Sequence, residues 1–395
     1  MKVLLIVTGG TIGSTQSNGY IGLREQSEYP LLSLYYAYME SQGISKLDVE
    51  FVVTSPYQLL SENSTGEILG RLAESIHAGL CQAKQEGCQG IIVTHGTDTL
   101  AYSAAMAGYL FMDSPLPIVF VSANYVLSDV RSNGLDNFHY ALQWIQEGIG
   151  GVYVSYRNTG DVPRIHLGTR VLGHQAYSDD VYSMGASCAW YGEDGVHDVF
   201  LWQREKFVGA ENGQKERTVT DLTELGNDKV NVGEMLDGGR ILALQLPLQW
   251  QWQWQWDAPV LQIYPAPGMR YPVIPTETKA VLHHSYHAGT ICSETPEMEL
   301  FFEEAGRRQI PVFLTGADPE LVYDSTRIFD HYGINVLRKA SPISMYIKLW
   351  LLLTSGRDPV EWMKRDLAGE FLGTDFFCHT AKGVLSNYEK AKYNV

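Results

Sequence analysis

The sequence predicts an α/β protein with a larger, mainly parallel doubly wound sheet followed by a smaller α/β domain. Three observations carry that reading. The chain has 395 residues, more than a single hydrophobic core usually serves. Short apolar runs alternate with segments of helical periodicity in two separate blocks. Two early runs, at Val3 to Val7 and Gly90 to Val93, end in the related turns Thr8-Gly9-Gly10-Thr11-Ile12-Gly13 and Thr94-His95-Gly96-Thr97-Asp98-Thr99.

The first run is continuously apolar and ends in glycines, as a strand buried on both faces does. Residues 49–54 form the next strand candidate. Ser64-Thr65-Gly66-Glu67 then fits a capping box, with Ser64 accepting from the backbone and Glu67 reaching back. Leu69, Leu72, Ile76 and Leu80 follow at helical spacing. A strand at Ile91, a helix over 99–112, a strand over 118–121, a helix over 137–146 and a strand over 151–156 continue the alternation. The second block begins near Val260, with strands over 260–264, 280–285, 311–314 and 334–337 and helices over 298–307, 321–332 and 343–354.

The expected organisation is an N-terminal catalytic domain over 1–190, a linker or insertion over 191–256, and a C-terminal domain over 257–395. The insertion ends in a strict alternation, Gln249-Trp250-Gln251-Trp252-Gln253-Trp254-Gln255-Trp256. As a strand it places four indoles on one face, suited to burial against a domain or a subunit. A stacking platform for a sugar or single-stranded nucleic acid is the other reading, but no basic groove accompanies it.

Acidic residues outnumber basic ones 45 to 29, for a formal charge of −16, which argues against nucleic acid or an anionic membrane as partner. With no signal-peptide pattern at the start and no apolar run of membrane-spanning length, a cytoplasmic location is expected. The five cysteines, Cys81, Cys88, Cys188, Cys292 and Cys378, form no C-x-x-C pair and indicate neither a zinc site nor a disulfide framework.

Ligands of open α/β sheets sit at the carboxyl ends of strands, so the hydroxyls of Thr11 and Thr97 and the carboxylate of Asp98 are candidates for one crevice. Thr11 follows Gly-Gly where N–H groups point outward, and its hydroxyl becomes a nucleophile once some group accepts its proton. A phosphate-binding turn is the alternative, but Gly9-Gly10-Thr11-Ile12-Gly13 is not G-x-G-x-x-G and no Lys follows. Asp98 taken alone reads equally as the N-cap of the next helix. His283-His284-Ser285-Tyr286-His287 invites a metal reading, yet a strand sends adjacent histidines to opposite faces. Asp179 and Asp180 form a carboxylate pair that a loop would leave solvated, and Lys348 reads as a structural or surface group.

Together, Thr8-Gly9-Gly10-Thr11-Ile12-Gly13 and His95-Gly96-Thr97-Asp98-Thr99-Leu100 resemble the two signatures of the bacterial-type L-asparaginase/glutaminase family, closest to its cytoplasmic type I branch. Asn18-Gly19-Tyr20-Ile21 resembles the family's lid, and Leu60-Ser61-Glu62-Asn63 its substrate-binding turn. Gly134-Leu135-Asp136-Asn137 resembles its helix opening after the third strand. Pro265-Ala266-Pro267-Gly268-Met269 and His284-Ser285-Tyr286-His287-Ala288-Gly289 are similar to the start of its C-terminal domain. The resemblance spans nearly the whole chain outside about 190–255.

It implies a two-domain asparaginase-like fold and hydrolysis of free asparagine, with glutamine a lesser substrate, to an acid and ammonia through an acyl-enzyme. By the resemblance, Thr11 attacks the amide carbon while Tyr20 closes over it and assists proton transfer. Ser61, Glu62 and Asp98 hold the substrate's α-carboxylate and α-amine. Thr97 acts as the second hydroxyl centre and orients the water, and Ala123 falls where a backbone group lies near the scissile amide. No cofactor or metal is required, and a homodimer or homotetramer is implied, a neighbour completing each site.

One departure stands out. The family pattern places a catalytic Lys in the stretch that reads here Gly168-Thr169-Arg170-Val171-Leu172-Gly173-His174, at Gly173, and no Lys occurs between Lys84 and Lys206. General acid–base help contributes about 10²–10⁴ in rate. His174 or Arg170 is expected to occupy part of that space, His174 being the better proton acceptor. The alternative is a catalytically weakened relative that binds an amino acid as a sensor or regulatory subunit. The amidotransferase subunit that acts on tRNA-bound glutamate is not expected, since that reading calls for a further domain ahead of a motif that begins here at Thr8.

Overall fold

In the computed structural model, the described residues are 1–17, 20–23, 31–43, 48–173, 175, 178–193, 195–197, 200, 201, 260–318, 323–372, 376 and 377. The Gln/Trp repeat, most of 191–256, His174 and Cys378 lie outside them, as does the side chain of Tyr20.

The first block contains β1 (Lys2–Val7), β2 (Ser14–Ser17), β3 (Tyr20–Leu23), α1 (Leu31–Ser41), β4 (Glu50–Thr54), α2 (Gly66–Glu86), β5 (Gly90–Thr94), α3 (Leu100–Phe111), β6 (Pro117–Val121), α4 (Gly134–Glu147), β7 (Gly151–Arg157), β8 (Pro163–Leu167), β9 (Ala189–Gly192) and β10 (Gly195–His197). They build an eight-stranded sheet in the order β10-β9-β8-β7-β6-β5-β1-β4. From β4 to β7 the pairs are parallel, whereas β8, β9 and β10 join antiparallel. That extension is absent from the sequence reading, because Pro163-Arg164-Ile165-His166-Leu167 has the polar positions of no buried parallel strand.

Helices cover both faces, which explains the unbroken apolar runs. Leu4, Ile6, Ile91 and Val93 face Leu72, Ile76 and Leu80 of α2 and the residues of α3. Val3, Leu5, Val7 and Ile92 face Tyr35 of α1 and Phe138, Leu142 and Trp144 of α4. Helix α2 begins one residue later than the capping box places it. Thr65, not Ser64, is the cap, and its Oγ1 accepts from the Ile68 N–H at 3.4 Å. Ser64 is engaged with Thr99 instead.

The second block supplies β12 (Val260–Ile263), β13 (Ala280–His284), α5 (Pro296–Arg307), β14 (Val312–Thr315), α6 (Arg327–Tyr332), β15 (Asn335–Val336) and α7 (Pro342–Thr354), while β11 (Phe200–Leu201) pairs with β16 (Phe376–Phe377) elsewhere. Its sheet, β12-β13-β14-β15, is parallel throughout. Helix α7 packs on α3, so Leu282, Phe313, Met345 and Leu349 share one core with Ala104 and Val93. Polar pins fix the seam: Ser341 donates to the Val171 carbonyl at 2.8 Å, and the Tyr109 and Ser344 hydroxyls bond at 2.7 Å.

Lys348 of α7 is structural. Fully buried, its Nζ donates to Glu370 at 2.6 Å, and the carboxylate also accepts from the Leu367 and Ala368 N–H groups. Burial lowers the ammonium's pKa while Glu370 opposes that shift. Among the described residues, no helix is long and apolar enough to cross a membrane.

Candidate active site

Strands β1 and β5 are parallel neighbours in register, with Val7 opposite Thr94, so their carboxyl ends lie side by side. The Thr8 hydroxyl donates to the Thr94 carbonyl at 2.6 Å and ties the ends together. Beyond them the two turns touch backbone to backbone. Gly10 sits at φ 73°, and a Cβ there would fall 2.3 Å from the Gly96 nitrogen and 2.4 Å from its Cα. Only glycine meets both demands.

Gly96 in turn makes room for Ser61, since a Cβ on it would lie 2.3 Å from the Ser61 Oγ. The Gly10 N–H donates to the Leu59 carbonyl at 2.9 Å and the Leu59 N–H to the Thr8 carbonyl at 3.0 Å, docking the Ser61 segment onto the first turn. Thr11, Ser61 and the pair Thr97–Asp98 are thereby flanked by three mutually contacting backbone segments.

Thr11 opens the 3-10 turn Thr11–Gly13 and is half-buried. The hairpin β2–β3 follows at once, and β3, which begins at Tyr20, packs beside that turn. Ser61 lies in the 3-10 turn Ser61–Asn63 and donates to Asp98 Oδ2 at 3.3 Å, while Glu62 beside it is exposed. The Asp98 carboxylate is exposed and is not the cap of α3: that position is Thr99, whose hydroxyl donates to the Ser61 carbonyl at 3.2 Å. Ala123 is fully buried just past β6, where Asn137 donates to the Ser122 carbonyl at 2.8 Å.

Sequence reasoning gave His95 no role. Its Nδ1–H donates to the Gly96 carbonyl at 2.8 Å, and the Ser103 hydroxyl donates to Nε2 at 2.9 Å. Burial lowers its pKa, so it is a neutral ring that orients the Gly96 peptide from beneath. A His inside a glycine turn at a buried strand end was the available signal.

A cavity of about 160 Å³ opens beside Thr97 and Asp98, walled by Asn124, Tyr156, Leu172 and the segment 178–181. Of the two candidates for the missing amine, Arg170 lies among the described residues and His174 does not. A Cβ at Gly173 would lie 2.8 Å from Ile343 Cδ1 of α7. Arg170 is engaged elsewhere: its buried guanidinium donates to the Gly369 carbonyl at 2.5 Å and the Phe371 carbonyl at 2.9 Å. Those bonds hold it to the C-terminal segment, and a guanidinium has no lone pair to accept a proton.

Residues 2–184 match the family described as Asparaginase, N-terminal. An L-asparaginase from Thermococcus kodakarensis is 26% identical over 172 residues, 43% of this chain and 47% of that protein. The chain thus spans less than half the length of that relative. A Glutamyl-tRNA(Gln) amidotransferase subunit from Haloquadratum walsbyi is 25% identical over 371 residues, 93% of this chain and 75% of that protein. The solved thermostable L-asparaginase from Thermococcus kodakarensis superposes with a TM-score of 0.64 at 22% identity over 94% of this chain and 100% of that one, a likeness of fold. With paired turns, sheet order and sequence match in agreement, this chain carries an N-terminal domain of the asparaginase family.

Proposed function

We propose that the chain hydrolyses the side-chain amide of asparagine, with glutamine a lesser substrate, and that Thr11 is the nucleophile. The observation that supports this most is the backbone contact of Gly10 with Gly96, which sets Thr11 beside Thr97 and Asp98 at adjacent strand ends. Thr11 Oγ1 adds to the amide carbon, ammonia departs, and water releases the acid from the resulting ester. Asp98 and Glu62 suit the substrate's ammonium, Ser61 suits its carboxylate, and Tyr20 on β3 closes over the nucleophile. The Ala123 backbone lies toward the scissile amide and His174 stands in for part of the absent Lys. The same reading takes the protein as a cytoplasmic homodimer or homotetramer with the domain division given above.

Ammonia release from asparagine and glutamine by the purified chain tests this. Thr11→Ala is expected to lower kcat by on the order of 10³-fold or more, as removal of a nucleophile does. A Thr11→Ala variant as active as the parent sinks the assignment.

A second reading has its own support. The relative matching 93% of the chain is named as an amidotransferase subunit, and no Lys stands at the family position. The chain is then a subunit or amino-acid sensor that depends on another protein. Its mark is asparagine or glutamine binding by the isolated chain, by calorimetry, with no turnover.

A further inference from the structure

The cavity beside Thr97 has one wall that the proposed chemistry leaves unused. Segment 178–181 is braced from the end of β7. The Tyr156 hydroxyl donates to the Asp179 carbonyl at 2.6 Å. Asn158 donates to the Val181 carbonyl at 3.0 Å, and its Oδ1 accepts from the Val181 N–H at 2.9 Å. Both oxygens of Asp180 serve the same brace, accepting from the Thr159 N–H at 3.2 Å and the Tyr182 hydroxyl at 2.9 Å. The loop's other carboxylate, Asp179, lines the cavity with Thr97, Asp98 and Tyr156.

A space of about 160 Å³ is room for several waters, each taking roughly 30 Å³ in the liquid. The cavity therefore offers room for water between a hydroxyl, on Thr97, and the exposed Asp179 on a braced loop, the groups that deacylation needs. Resting on the Thr11 reading, we propose that Asp179 is the general base of deacylation, acting on cavity water held by Thr97, and that Tyr156 is its positioning residue. The water oxygen adds to the acyl carbon on Thr11 Oγ1 as one of its protons passes to the Asp179 carboxylate. The ester C–O bond then breaks, and that proton returns through Thr97 to Thr11 Oγ1. The product leaves as a carboxylate, its own proton going to solvent.

This arrangement would supply a proton acceptor in a chain with no Lys at position 173. Other charged or titratable groups also surround Asp179. Asp98 lies across the cavity, Asp180 and Tyr182 are on its own loop, Tyr156 is beneath it, and Arg131 is within electrostatic reach while paired to Asp129.

The test is kcat and KM for asparagine across pH 4–9 in the parent chain, Asp179→Asn, Asp179→Ser and Tyr156→Phe. Expected is a loss of about 10² in kcat for both Asp179 variants, KM within about threefold, and disappearance of the acid limb of kcat. Tyr156→Phe should lower kcat about threefold to tenfold and keep the limb, since the base remains. Either Asp179 variant with the parent's kcat and acid limb overturns the inference and leaves the Thr11 reading intact. A parent chain releasing no ammonia from either amide overturns both.

Discussion

At the end of β5, His95 turns its Nδ1–H onto the carbonyl of the next residue and receives the Ser103 hydroxyl on Nε2. In β13 of the smaller sheet His283 does the same, donating to the His284 carbonyl at 2.6 Å and receiving the Tyr271 hydroxyl at 3.0 Å. The residues next to the two rings differ. After His95 comes Gly96, whose bare α-carbon lets the turn of β1 dock and leaves Thr97 and Asp98 beside a cavity. After His283 comes His284, nearly buried, its ring stacked on Tyr264 with centroids 4.0 Å apart. Both are carboxyl ends of parallel strands, where ligands of such sheets sit. Topology offers the position, and a missing side chain decides whether a cleft exists there.

Glycine substitutions should break this contrast most sharply. In Gly10→Ala the new methyl meets the backbone of Gly96 at 2.3 Å, and backbone cannot rotate away. In Gly316→Ala, at the end of β14, it meets the Ser285 hydroxyl at 2.6 Å, which can rotate. Both positions hold positive φ, a cost of about 1–3 kcal/mol for a non-glycine residue. Gly10→Ala should add the loss of apposition, giving about 3 kcal/mol or more in urea unfolding and at least a 10²-fold fall in ammonia release. Gly316→Ala should cost about 1–2 kcal/mol and leave release within about twofold. Equal effects at the two sites would remove the distinction.

Acid should act next. Burial drives His283 and His284 down to about 4, against an ordinary value of 6.5. The unfolded chain therefore takes up protons first. Stability present in full above pH 6.5 is lost as pH falls toward 4, on the order of 3–5 kcal/mol for the two rings together. Around them stand Tyr271, Gln262 and Tyr264, none of which supplies a negative charge near neutral pH. Denaturant midpoints at pH 7 and 4.5 measure the slope, and His284→Gln should flatten it. A slope unchanged in that variant would mean that the acid response lies elsewhere.

How far the fold was legible depends on the same physics. The runs at Val3, Ile91 and Ile118 announced themselves because burial on both faces demands unbroken apolar sequence. The antiparallel β8 did not, since Arg164 and His166 interrupt its pattern. The paired Gly-Thr turns were readable because close approach forces glycine, and Asp98 was separable from a cap only in three dimensions. The brace of Asp179 by Tyr156 and Asn158 was invisible in sequence, joining positions more than twenty residues apart through backbone carbonyls. The anchoring of Arg170 was hidden for the same reason. Its partners, Gly369 and Phe371, lie some two hundred residues on, and no local pattern signals them.

The smallest expected effect separates the two ends by function, not stability. Ser61 donates to Asp98 at 3.3 Å, a long bond to an exposed carboxylate, so Ser61→Ala should cost less than about 1 kcal/mol in unfolding. Without that hydroxyl Asp98 is freer to turn to solvent, and the substrate loses both an aligned carboxylate and a donor. KM for asparagine should rise about tenfold while kcat stays within about threefold, the sign of binding lost equally from ground and transition states. Tyr271→Phe removes the corresponding hydroxyl from His283 at the other end, again at about 1 kcal/mol. There KM should not move, because rings cover the end of β13 where Tyr271 meets His283. A rise in KM on Tyr271→Phe, or none on Ser61→Ala, would reverse the roles assigned to the two ends.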